Sequence, residues 1–543
     1  MHHIWGEIDR RLLIKLGTTG LAAMALPGAA LAMAAQGFTH GVASGEPGAN
    51  SILLWTRYAA PSDTSLTAEL SESADFDRIA GGGTVIAAGE RDHTAKIVVD
   101  GLQPGRWYYY RFIAPDGSKS PIGRTRTLPQ GPTSAFTIAL FSCANMPFGW
   151  FNAYGHAAAR GDIDLVAHVG DYLYEYKVGD YPSAKEALPG RLIQPAGEIV
   201  ALADYRLRYA AYRADPDLQR LHQMFPMIVQ WDDHEFANDT WKGGAENHNE
   251  GEGSWADRMA AAERAHNEWM PVAETRWRDY QVGDLATIFL PETRITARDE
   301  PFDLGAILKG KANVAETLKQ FAETAYRDPR RQLMGAEQES WLFGGFAKSV
   351  KAGTRWQVCA QQIVMGSLFT PPESRNWFGS DQPDYVKRRV EVSQLAAKAG
   401  LPLNMDSWDG YPAARDRLLA AAQRADANLV TLSGDSHNAW AFDLTHDKRA
   451  AGIEVGGHSV TSPGFESYTR GIPDATRVAA LRASSPQLKW ANTQDRGYVT
   501  VAFSPDKVTA DWHNVASIRT HDLQLSGSHR MTAARGRKKY DAI

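Results

Sequence analysis

The chain has 543 residues, 43% of them hydrophobic and 22% charged, with a formal net charge of -5. That length holds a large core and more than one domain, and the composition is that of an ordinary soluble globular protein. The slight acidity, with no basic stripe before 535–539, excludes a nucleic-acid coat and gives no sign of nucleic-acid-specific binding.

Residues 1–36 stand outside the expected fold. Arg10-Arg11 and Lys15 precede an apolar, glycine-containing run at 16–31 that closes on Ala30-Leu31-Ala32, a small-residue cleavage pattern. The paired arginines resemble a twin-arginine export signal. This implies a periplasmic or secreted product that touches the membrane only in transit and takes up metal before export. A Sec signal is an alternative. So is an uncleaved anchor, against which the interrupted apolar run weighs.

From about 38 to 128 the pattern is all-β, defining a first domain at 37–130. Strand-like runs such as Ile52-Leu53-Leu54-Trp55 and Ile97-Val98-Val99 are divided by Gly, Pro, Asp and Ser clusters. The turn Leu102-Gln103-Pro104-Gly105 before Trp107-Tyr108 resembles the tyrosine corner of fibronectin-type sandwiches. A Pro- and Gly-rich linker at 127–132 follows.

Beyond it, strands are expected at 136–142, 165–169, 227–230, 285–290, 356–361 and 428–432. Helical stretches fall between them at 153–160, 204–214, 256–267 and 413–422. This alternation predicts an α/β domain at 131–520 built on a layered, mainly parallel sheet, whose ligands gather beyond the carboxyl ends of the strands. Segments 497–503 and 507–512 read as an antiparallel hairpin extending a second sheet. Residues 242–254, rich in Gly, Asn and Glu, read as a mobile loop at a cleft rim, and 521–543 as a solvated tail.

Four strand ends carry candidate chemistry. The first ends at Cys143 and the second at Gly170-Asp171, with Tyr174 three residues on. The third ends at Asp232-Asp233-His234-Glu235 and the fourth at Gly434-Asp435-Ser436-His437. Each alone is an ordinary turn or cap. Four in this order point to a metal-dependent phosphoester hydrolase. Cys143 is expected to ligate metal, with a disulfide to Cys359 as the alternative, while Cys359 reads as a core thiol.

With Gly41-Val42-Ala43-Ser44-Gly45-Glu46-Pro47, Leu54-Trp55-Thr56-Arg57 and Asp204-Tyr205-Arg206-Leu207-Arg208-Tyr209, these motifs resemble the PhoD-like alkaline phosphatases. That family lies within the calcineurin-like metallophosphoesterases, akin to purple acid phosphatases. The resemblance spans nearly everything after the export signal. It implies a layered metallophosphoesterase β-sandwich flanked by helices, preceded by a small all-β domain. One family element, L-D-T-R, is altered here to Leu290-Pro291-Glu292-Thr293-Arg294, and no site role is assigned to it.

The implied centre has Cys143, Asp171, Tyr174 and His437 on Fe(III), a small ion that favours anionic ligands. Asp171 bridges to Ca(II) at Asp233 and Asp435, where carboxylates favour a harder ion than zinc. The five anionic ligands balance the five positive charges of that pair; zinc, manganese or magnesium are alternatives. Asn238 is a further candidate, through its carbonyl oxygen. A hydroxide held at the metals would attack phosphorus in line. His234 would contact the phosphate or protonate the leaving oxygen, or else support a ligand. Arg206 would clamp a phosphate oxygen, or else form a surface ion pair. The substrate is a small phosphomonoester or phosphodiester. Phospholipids, and a catalytically dead surface-binding protein, are the rival readings, and the sequence leaves the oligomeric state open.

Overall fold

Seven strands come first: β1 (Gly37–Gly45), β2 (Ser51–Ala59), β3 (Thr64–Ser71), β4 (Ile79–Ala87), β5 (Thr94–Asp100), β6 (Trp107–Ile113) and β7 (Gly123–Arg126). They belong to a computed structural model that describes residues 36–377 and 384–542. The export signal expected at the N-terminus lies outside the described residues, apart from Gln36. In the turn before β6, the Gln103 N–H donates to the Tyr108 hydroxyl at 2.9 Å, which is the tyrosine corner the sequence suggested.

The α/β portion adds β8 (Phe136–Phe141), β9 (Leu165–His168), β10 (Pro226–Val229), β11 (Arg278–Val282), β12 (Ala286–Leu290), β13 (Trp356–Ala360) and β14 (Leu429–Ser433). It continues with β15 (Ala439–His446), β16 (Arg449–Gly456), β17 (Leu488–Asn492), β18 (Gly497–Phe503), β19 (Lys507–Val515) and β20 (Leu525–Ala534). Two mixed sheets result, ordered β20-β19-β18-β8-β9-β10-β1-β2-β5 and β11-β12-β13-β14-β16-β15-β17, beside a four-stranded sheet β4-β3-β6-β7. The pairs β8/β9, β9/β10, β12/β13 and β13/β14 at the sheet centres are parallel. Long crossovers carrying helices require that arrangement.

The two large sheets face each other. Ile138, Leu140, Ala167 and Ile228 of one meet Ile288, Val358, Val430 and Leu432 of the other in a shared core. Residues of the opposite parity, such as Phe141 and Val166, pack outward against helices Asn152–Ala158, Leu202–Arg213 and Trp255–Trp269. On the far side Phe289, Cys359 and Leu429 pack against helices Ala336–Lys351 and Pro412–Arg424. Strands buried on both faces explain why they read as continuous apolar runs rather than alternating ones. Each fully buried Leu contributes about 1.5–3 kcal/mol here.

The all-β region forms over β1–β7 as expected, and β1 also pairs in parallel with β10, so that β2 and β5 join the sheet of β8–β10. Two expectations change. The 497–512 hairpin forms as β18 and β19 but joins the sheet of β8 rather than a second one. The tail is structured: β20 pairs with β19 along its length, and buried Tyr540 donates its hydroxyl to the Glu454 carbonyl at 2.9 Å. Lys538, in the basic run expected to be solvated, pairs with Asp426. Among the described residues no helix is long and apolar enough to cross a membrane.

Candidate metal centre

The chain leaves β8, β9, β10 and β14 at neighbouring carboxyl ends, and all four candidate motifs begin there. Packing is too close for a side chain at two of the turns. A Cβ on Gly170 would meet the Asp232 Cβ at 2.3 Å, and one on Gly434 would meet the Ser142 Cβ at 2.5 Å. Cys143, Asp171, Asp435 and His437 all hold left-handed backbone, at φ 59°, 53°, 61° and 60°. Each such non-glycine residue costs on the order of 1–3 kcal/mol, and such residues gather at functional sites. The Glu235 carboxylate holds the turn after β9 by accepting the N–H groups of Asp171 at 3.1 Å, Tyr172 and Asp232.

The turns converge. Donor atoms of Cys143, Asp171 and His437 lie within 4.8 Å of one another, as do those of Asp171, Asp233 and His234, and those of Asp232, Asp233 and Asp435. Tyr174 joins the first group: its hydroxyl donates to Asp171 Oδ2 at 2.9 Å and lies 3.2 Å from His437 Nε2. His437 Nδ1 donates to the Pro463 carbonyl at 2.9 Å, which fixes the tautomer and leaves the Nε2 lone pair facing the group. Asp171 Oδ1 is buried without a hydrogen-bond partner, and Asp233 Oδ1 has only the Arg294 guanidinium at 3.5 Å. Orphaned carboxylate oxygens of that kind are costly unless a cation meets them. The donor set therefore fits metal ions.

Electrostatics agree. Burial, and then the charge of Asp171, pushes the Cys143 thiol well above its usual range. Burial and Asp171 do the same to Tyr174, and burial raises the carboxyls of Asp171 and Asp435. Asp233 is the exception: burial opposes its charge, but Arg294 and His234 outweigh it and keep the carboxyl ionised. The other four are groups that a di- or trivalent ion deprotonates as it binds.

His234 and Arg206 part company. His234 Nδ1 lies 2.7 Å from Glu175 Oε2, and the ring packs on Tyr174 with centroids 4.2 Å apart. Burial opposes charge on this imidazole, yet Asp233, Glu175 and Asp171 outweigh it and raise its pKa well above the usual value. Arg206 is nowhere in the cluster: its Nε and Nη2 each donate to Glu268 at 2.6 Å, and Nη2 also to the Glu90 carbonyl. The phosphate-clamp expectation for Arg206 is replaced by an ion pair between helices Leu202–Arg213 and Trp255–Trp269. Asn238 acts through its backbone, donating its N–H to Glu175 Oε1 at 2.8 Å, while its side-chain amide donates to Glu246. The loop at 242–254 is tied in as well, because Asn247 Nδ2 donates to the same Glu175 oxygen at 2.9 Å. Both cysteines are free and buried, so the disulfide alternative falls.

Sequence reasoning missed the one arginine inside the cluster. Fully buried Arg294 reaches Asp232, Asp406 at 2.7 Å, Asp435 at 2.9 Å and Asp233 at 3.5 Å. It holds these carboxylates together. Its signal was present in the altered L-D-T-R segment. Asp406, in an irregular stretch at 404–407, had none.

Two family models match the chain: the PhoD-like phosphatase over residues 138–512 and the PhoD-like phosphatase N-terminal domain over 23–129. The chain belongs to the PhoD-like phosphatase family. Alkaline phosphatase D of Bacillus subtilis (strain 168) is 32% identical over 501 residues, covering 88% of this chain and 77% of that one. A solved structure of PhoD superposes with a TM-score of 0.76 at 28% identity, over 93% of this chain and 92% of that one. The purple acid phosphatase PPD1 from yellow lupin (Lupinus luteus) seeds gives 0.55 at 13% identity, over 91% and 74% of the two chains, and shows a shared fold. As a member of this phosphatase family the chain is a phosphoester hydrolase by kinship.

Proposed function

We propose that this chain is an exported phosphoester hydrolase that holds Fe(III) through Cys143, Asp171, Tyr174 and His437 and Ca(II) through Asp233 and Asp435, with Asp171 shared. Thiolate, phenolate, carboxylate and imidazole together suit a hard, high-charge ion, and the all-carboxylate half suits calcium. Ions held there would lower the pKa of water and offset charge on the phosphoryl oxygens.

The protein's own part is positioning and proton delivery. Glu175 accepts the His234 Nδ1 proton, so the ring presents Nε2 on its other side. Paired with Glu175, which is not among the metal ligands, His234 would offer a proton on Nε2 to the leaving oxygen of a phosphomonoester or phosphodiester. Arg294 holds Asp232, Asp406 and Asp435 in register, so acids that would otherwise repel one another stay aimed at one point. Export rests on the paired arginines at 10–11 and the Ala30-Leu31-Ala32 end.

The observation that carries the reading is His437: its Nδ1 is committed to Pro463 and its Nε2 is turned on Tyr174 and Asp171. The test is metal analysis of the purified mature chain together with hydrolysis of nitrophenyl mono- and diesters. Iron and calcium with turnover are expected; a metal-loaded protein inert on every ester would overturn it.

A further inference from the structure

Six arginines are among the largest fully buried side chains of the described residues. Five have acceptors. Arg208 donates to backbone carbonyls, including those of Gln194 and Pro195 at 3.1 Å. Arg258 pairs with Glu198 and Glu252, Arg294 and Arg298 with Asp406, and Arg477 donates to Thr493 and the Ile472 carbonyl. Arg213, the last residue of its helix, is the exception: no acceptor meets its three guanidinium nitrogens in good hydrogen-bond geometry, and the Tyr172 hydroxyl is the polar group that approaches them.

Nothing anionic offsets it. The groups that bear on Arg213 are the phenols of Tyr172 and Tyr110, and the ring of Trp55 covers it with its centroid 4.1 Å away. Asp215, the acid closest in sequence, is taken by Arg191 at 2.6 Å. A cation–π contact recovers part of the desolvation cost of a guanidinium, but leaves its N–H donors unmet.

The polar atoms nearby are donors too. Tyr110 Oη, Ser44 Oγ and His222 Nδ1 are in no well-formed hydrogen bond, the first two having only each other nearby, and all three residues are fully buried. The Tyr110 hydroxyl faces Ser44, and His222 feels the charge of Arg213. The Tyr172 hydroxyl sits 2.9 Å from His222 Nε2; when it donates there, the ring hydrogen is left on Nδ1.

From this cation ringed by neutral donors we propose an internal binding site for a small monovalent anion, a halide, centred on Arg213 with Tyr110, Ser44 and His222 as the other donors. One negative charge balances one guanidinium, whereas a phosphate or sulfate dianion would leave excess charge in a dry interior. The site is distinct from the metal centre and independent of the substrate reading.

The test uses the full, metal-loaded protein. At constant ionic strength, replacing gluconate by chloride or bromide should raise the unfolding midpoint saturably, by about 2–5 °C at a hundredfold excess over Kd. Crystals grown in bromide should show an anomalous peak within hydrogen-bonding distance of the Arg213 guanidinium. Arg213→Met should abolish the halide response. Identical midpoints in gluconate and bromide, or bromide crystals with no peak at Arg213, would overturn the proposal. If Arg213→Met does not fold, these two measurements on the unaltered protein decide alone.

Discussion

Glu175 Oε2 and His234 Nδ1 are 2.7 Å apart. The other oxygen of the same carboxylate accepts from the Asn238 backbone and the Asn247 side chain. The imidazole is thus fixed in tautomer and aim by an acid that is itself held from two sides. Removing His234 (His234→Ala) should keep both metals and lose roughly 10²–10⁴-fold in rate, the range for loss of a general acid. Glu175→Gln should lose about 10–100-fold, since it misdirects the ring rather than deleting it. Both losses should shrink on a nitrophenyl ester, whose leaving group needs no proton. Comparing it with an alkyl ester reads this directly, and equal losses on the two would assign His234 to orienting phosphate instead.

Asp171 belongs to two of the three donor groups, so Asp171→Asn should abolish nearly all hydrolysis and lower total metal content. Asp233→Asn and Asp435→Asn should spare the first ion more than the second. Tyr174→Phe and Cys143→Ser should shift or remove a visible charge-transfer band if iron is held there. An active, colourless enzyme that contains only zinc would refute the iron assignment.

Arg206 is expected to matter for stability and not for turnover. Its partner Glu268 is only 3% exposed and also meets Arg264 at 2.9 Å. Arg206→Met should therefore cost about 1–3 kcal/mol by leaving a buried carboxylate half-satisfied. Adding Glu268→Gln should recover part of it. Denaturant melts with kcat measured in parallel check this: a tenfold or greater loss of kcat with unchanged stability would restore Arg206 to the phosphate.

His266 and His458 are buried with no ring nitrogen in a well-formed hydrogen bond, and burial lowers each pKa to about 3, outweighing the Asn267 side chain beside His266. The unfolded chain takes up those protons near pH 6.5, while the native state does not. Stability tied to them is thus full above about pH 6.5 and is lost as pH falls toward 3, by on the order of 1 kcal/mol per pH unit for each ring. Denaturation midpoints between pH 7 and 5 should fall accordingly, and His266→Phe should flatten the slope. A slope unchanged by that substitution would show that His266 is not held neutral.

Much of the site was legible because its chemistry sits where apolar runs stop. β8, β9, β10 and β14 each end two to four residues before a candidate ligand, and a strand end in a layered α/β fold is an address. Cys143, Asp171, Tyr174, Asp233 and His437 could be placed that way. Arg294 and Asp406 could not, because their meeting at 2.7 Å is made by two irregular segments over a hundred residues apart, which periodicity does not see. Arg206 misled because a helical arginine looks the same whether it faces a phosphate or Glu268. The role of β1 was hidden for a related reason: alternation identifies a strand but not its neighbour.

That neighbour sets a timetable. The ribosome releases Ser44 long before its partner Pro226 exists. At about 5–20 residues per second, the roughly 180 residues between them take on the order of 10–40 s to appear. Throughout that interval the nascent β1–β2 hairpin shows an unclosed, apolar margin to the cytosol. A chaperone that shields newborn chains would find its earliest target there, on the β1–β2 hairpin rather than around the pocket that does the chemistry.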